Sequence, residues 1–88
     1  MNVALGETSL KVNTTGSRNS AVGTTSLESN TTGGSNTAVG VGALGKNTTA
    51  SSNTAIGTDA GDVITTGQQN VIIGASSDPS ANSAANQI

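Results

Sequence analysis

Apolar residues in this chain come in short alternating bursts. Leu5, Val22, Val39, Ile56 and Ile73 each follow a smaller or equal apolar residue (Ala4, Ala21, Ala38, Ala55 and Ile72) and each precede a glycine (Gly6, Gly23, Gly40, Gly57 and Gly74). Neighbouring side chains on a strand point to opposite faces, so every burst predicts a short strand with a small side chain on one face and a branched aliphatic one on the other. A third apolar line, Leu10, Leu27 and Leu44, lapses at Gly61 and Asp78. Between the bursts the chain is Asn, Thr, Ser and Gly, a density that disfavours helix.

The bursts are evenly spaced. Units of 17 residues begin at Asn2, Asn19, Asn36 and Asn53, covering 2–18, 19–35, 36–52 and 53–69; a shorter one covers 70–85 and the start of a sixth covers 86–88. Within them a doubled threonine returns as NTTG at Asn13–Gly16 and Asn30–Gly33, as NTTA at Asn47–Ala50 and as ITTG at Ile64–Gly67. The whole chain, 1–88, therefore reads as a single repeat array. The interval is too short for helical repeats, which need two helices per unit. It suits an all-β fold, a β-solenoid with 17-residue coils. At strand rise such a coil traces at most ~56 Å of path, enough for two short strands and two bends. Like residues then stack over like. The threonines form ladders whose hydroxyls bond along the stack. The glycine column, Gly6, Gly23, Gly40, Gly57 and Gly74, marks a bend that needs a positive φ. The asparagines bond backbone at the bends or ladder with one another.

Composition narrows the chemistry. Leu, Ile, Val and Phe supply 16 of 88 residues, a share low enough to suggest disorder, yet the net charge is only -2 and the pattern is regular. Aromatic residues, Cys and His are absent. No disulfide can staple this small chain, which leaves oligomerisation as the remaining stabiliser. The usual nucleophile–base pairs cannot be built, so the chain is expected to be no enzyme and to carry no cofactor. Scattered charges without stacking rings argue against nucleic acid, and no apolar stretch approaches a membrane span.

Three local patterns invite sharper readings. Gly40, Gly42 and Gly45 match the spacing of a dinucleotide-binding glycine loop, but no helix pattern follows, and Gly40 belongs to the bend column. Asp59, Asp62 and Asp78 suggest calcium, but the calcium-roll repeat is missing and solvated carboxylates are the plainer reading. Asn13, Asn30 and Asn47 head N-x-T sequons that only a eukaryotic secretory route would use.

One coil has two apolar strand faces and can turn only one inward. If the alanines pack inside, the structural column Leu5, Val22, Val39, Ile56 and Ile73 faces out and wants a partner; the opposite assignment leaves a milder stripe of alanine outside. Burying a branched side chain is worth roughly 1.5–3 kcal/mol, which predicts self-association around an axis parallel to the stack.

The motif N-x-A-[VIL]-G, together with N-T-T-G, over 19–35 and 36–52 and more weakly in the flanking units, resembles the repeats of phage tail fibres and of trimeric autotransporter adhesin heads. That resemblance implies a left-handed parallel β-roll and a homotrimer around a central axis. It further implies a shaft or head segment that mediates host or surface attachment, in a virion or at a cell surface. The expected partners are two further copies of the chain and a cell-surface receptor or glycan. Receptor contact would fall on variable residues of outward bends, such as Glu7, Lys11, Arg18, Glu28 and Lys46. The competing expectations are a monomeric ice- or ligand-binding solenoid, with the threonine pairs as its array, and a segment that polymerises end to end.

Overall fold

A computed structural model describes residues 1–77. Five strands, β1 (Val3–Leu5), β2 (Ser20–Val22), β3 (Thr37–Val39), β4 (Thr54–Ile56) and β5 (Val71–Ile73), form one parallel sheet in the order β1-β2-β3-β4-β5. Val22 pairs with Val39 and Val39 with Ile56, so residues one repeat apart are vertical neighbours. The fold is an all-β solenoid.

The small column turns inward. Ala21, Ala38 and Ala55 are fully buried and Ile72 nearly so, packed with Leu27, Leu44, Ala43, Ala60 and Ile64. The branched column, expected as a structural core column, lies outside the core of the single chain because the alanines take the inner face: Val39, Ile56, Ile73 and Leu5 are 37%, 41%, 69% and 66% exposed and Val22 is half-buried. Of the two assignments open from the alternation, the narrower coil is the one adopted. The wall opposite the strand lies close enough that leucine from that wall and alanine from the strand fill the space between them.

Each described coil contains one three-residue strand where the path length had allowed two. The remaining arc is a succession of tight turns. In the second coil Ser26 N–H donates to Gly23 O (3.1 Å), Glu28 N–H to Thr25 O (3.2 Å) and Asn30 N–H to Leu27 O (3.1 Å). The third residue of the first two turns is left-handed, Thr25 at φ 61 and Leu27 at φ 49, as a type II turn requires. Left-handed backbone is unfavourable for residues other than glycine by roughly 1–2 kcal/mol each. The stack offsets this cost, because the alternating twist aims every second N–H at a neighbouring coil. Thr25 N–H reaches Glu7 O below (3.0 Å) and Leu27 N–H reaches Ala43 O above (3.0 Å). The turn arc is thereby cross-linked as thoroughly as the sheet.

At the bend after each strand the backbones of adjacent coils nearly touch. Gly40 has φ +131, and a Cβ there would stand 2.6 Å from the Gly57 carbonyl carbon. Backbone crowding and the positive φ both demand glycine, which explains the regularity of that column.

Candidate interaction surface

Two asparagine columns hold the coils in register and thereby fix what faces outward. In the first column each side chain does two jobs. Asn36 Nδ2 donates to Ala50 O across its own coil (2.8 Å), while its Oδ1 accepts the Asn53 N–H from the next coil (2.9 Å). Asn19 repeats both bonds with Gly33 O (2.8 Å) and Asn36 N–H (2.9 Å), and Asn53 repeats them with Gly67 O (2.7 Å) and Asn70 N–H (3.0 Å). These buried amides therefore clip a coil shut and rivet it to its neighbour.

The second column forms a side-chain ladder. Asn30 Nδ2 donates to Asn13 Oδ1 and Asn47 Nδ2 to Asn30 Oδ1, both at 2.8 Å. Each Nδ2 also bonds the carbonyl three residues on, Gly33 O at 3.0 Å and Ala50 O at 3.1 Å. Both amide hydrogens of Asn30 and Asn47 are thus in use and both residues are fully buried. These two sequon asparagines serve the core and present nothing to the surface.

The doubled threonines divide their work. Thr14, Thr31 and Thr48 send their hydroxyls to the carbonyls of Thr31, Thr48 and Thr65 at 3.1–3.2 Å, forming the expected ladder. Thr15, Thr32, Thr49 and Thr66 are exposed. The adjacent pair therefore yields one outward file of hydroxyls per stack, not two side by side.

The most extended outward feature is the strand face. Thr37 with Val39 and Thr54 with Ile56 lie in in-register rows, flanked by exposed Val41 and by Leu5 and Ile73 in the coils at either end. Glu7, Lys11, Arg18 and Lys46 are exposed and Glu28 is half-buried, its carboxylate accepting the Thr8 hydroxyl (3.1 Å). An open groove of about 350 Å³ runs along the turn arc where Gly42 and Gly45 leave a notch between Glu28 and Asp59. Gly40, Gly42 and Gly45 sit on the bend and turn arc, and no helix follows them. Asp59 leans over Gly42, Asp62 is half-buried with interactions of its own, and Asp78 lies outside the described residues. Among the described residues no three carboxylates gather in a way that could hold a metal ion.

A buried feature also escaped the sequence. Ile64 occupies the second asparagine column in the fourth coil, where Gly61 replaces leucine. A Cβ at Gly61 would stand 3.4 Å from Ile64 Cδ1 and 3.0 Å from Leu44 Cδ2, so Ile64 fills the space a leucine takes elsewhere. The signal was present in the line as ITTG beside a lapsed leucine, but only the closed coil shows that one departure compensates the other.

No family model, curated protein or solved structure matches the chain.

Proposed function

We propose that the chain is a structural shaft or head segment of a trimeric fibre, of the phage tail fibre or surface adhesin kind, and that it acts mechanically in attachment to a host or surface. On this reading three left-handed coils run side by side around an axis parallel to the stack and cover one another's outward columns. The observation that carries it is the outward column Leu5, Val22, Val39, Ile56 and Ile73, of which Val22 is half-buried and the other four are more than a third exposed, in a chain without a large core. Exposed apolar surface that is contiguous and regular is what an association face presents. The cross-linked coils supply stiffness, and receptor or glycan contact is left to the charged bends.

Light scattering on the purified chain tests this. The expected mass is a small multiple of the 8.4 kDa chain, threefold. Val39→Asp with Ile56→Asp should lower it to one chain while leaving the circular dichroism unchanged, because neither side chain belongs to the single-chain core. A monomer mass for the parent chain overturns the reading, and thermal hysteresis in that monomer would point to the ice-binding alternative.

A further inference from the structure

The three seams between the first four coils are closed alike along the strand side. Gly23, Gly40 and Gly57 N–H donate to Leu5, Val22 and Val39 O at 2.7, 2.7 and 2.8 Å, and Leu27 and Leu44 N–H donate to Ala43 and Ala60 O at 3.0 Å each. Along the threonine arc the third seam is looser. Thr14 and Thr31 N–H reach Thr31 and Thr48 O at 2.9 Å, whereas Thr48 N–H reaches Thr65 O at 3.2 Å. Ser35 and Ser52 N–H reach Ser17 and Gly34 O at 2.9 and 3.0 Å, whereas Gln69 N–H reaches Ser51 O at 3.3 Å. Gly16 and Gly33 N–H add bonds to Thr31 and Thr48 O at 3.2 and 3.3 Å, while the equivalent Ala50 N–H makes none among the described residues. The asparagine rung that crosses each of the first two seams is missing from the third, and buried Asn47 Oδ1 is left without a partner.

Two substitutions within the repeat account for this. A Cβ at Gly16 or Gly33 would collide with the carbonyl oxygen of the coil above, Gly33 O or Ala50 O, so the first two seams close because a hydrogen stands at those positions. Ala50 carries the methyl for which that spacing has no room, and Ile64 offers no amide to draw the coils together. The methyl holds the arc of the fourth coil off, while the strand side, away from both residues, keeps its full set of bonds.

We infer that the seam between the third and fourth coils is a hinge, shut along the strand and able to part along the threonine arc, so that the stack bends there and water reaches Asn47 Oδ1. Each coil of a solenoid is held by its immediate neighbours alone, so flexure concentrates at the weakest seam. A buried polar atom without a partner favours the state that admits water to it. The seam lies inside the stack, with described coils on both sides of it. The contacts concerned are within one chain, and the inference is independent of the trimeric reading. Thr31 and Thr48 share a column, so a lateral neighbour would shield both alike.

Amide hydrogen exchange on the whole chain, followed by NMR, tests the hinge. Corrected for intrinsic rates, Thr48 and Gln69 N–H should exchange at least about tenfold faster than Thr31 and Ser52 N–H, their counterparts one coil lower. Gly57 and Asp59 N–H, on the strand side of the same seam, should be as slow as Gly40 and Gly42 N–H. Ala50→Gly should slow Thr48 and Gln69 toward the rates of Thr31 and Ser52. The triple variant Ala50→Gly, Gly61→Leu and Ile64→Asn, which also restores the rung, should abolish the contrast. Equal protection of Thr48 and Thr31 in the parent chain overturns the inference. So does fast exchange of Gly57 together with Thr48, which is whole coils fraying from one end, and so does a folded triple variant that keeps the parent's contrast.

Discussion

The two asparagine columns look alike in the sequence and behave differently in the stack. In the first, each Oδ1 accepts a backbone N–H, a group that every residue but proline supplies, so the column runs unbroken from Asn2 to Asn70. In the second, each Oδ1 needs the Nδ2 of another asparagine, so the ladder ends wherever the next coil lacks one. It ends at Asn47, whose buried Oδ1 has no partner because Ile64 stands above it. A ladder that leans on backbone is indifferent to the next residue; one that leans on side chains is only as long as its run of identical residues.

That break involves three residues at once. A Cβ at Gly33 would run into the Ala50 carbonyl oxygen of the next coil first, and would also stand 2.5 Å from Asn30 Oδ1 and 3.0 Å from Asn47 Nδ2, so close backbone and the ladder together favour glycine there. The next coil carries Ala50 at the equivalent place, just where the ladder stops. Ala50, Gly61 and Ile64 are therefore one coordinated exchange of a polar rung for apolar filling.

The sharpest way to break the comparison is Asn36→Ala. It strands the Asn53 N–H and removes one donor from Ala50 O, both buried, and should destabilise the chain by about 3–5 kcal/mol in a denaturant titration. Much of the stability of a small domain would go with it. Next in size is Ile64→Asn alone, which empties apolar volume beside Gly61 and presses an amide toward Ala50, for a loss of about 2–4 kcal/mol. Combined with Ala50→Gly and Gly61→Leu, the same change should recover the parent stability or exceed it, since Asn47 Oδ1 regains a donor. Leucine already adopts the left-handed backbone there, at Leu27 and Leu44. A triple variant as weak as the sum of its singles would show that the three sites are uncoupled. The smallest effect is expected from Asn47→Ala. Its Oδ1 has nothing to lose and Ala50 O keeps Asn36, so the cost is about 1–3 kcal/mol, mainly from the orphaned Asn30 Oδ1. Equal losses for Asn36→Ala and Asn47→Ala would sink the distinction between the columns.

Much of this architecture was legible in the line of residues. The interval, the vertical pairing of Val22 with Val39 and Ile56, and the glycine bend all follow from local rules repeated often enough to be unmistakable. The outward surface was legible only in part. Thr31 and Thr32 lie on bends outside any strand, so alternation does not settle which of the pair faces out, and the single strand per coil could not be foreseen, because left-handed Thr25 and Leu27 are choices that local preference opposes.

The sequence by itself determined the repeat and its register, because a 17-residue interval with a fixed glycine leaves stacking as the way to pair every strand. The tertiary structure decided which apolar column is buried, since alternation is symmetric between faces until a second wall closes the coil. It also decided that Asn36 clips backbone while Asn30 ladders with its own kind, and that Gly61 and Ile64 share one volume. Those outcomes depend on distances between residues that come together only once the coil is shut.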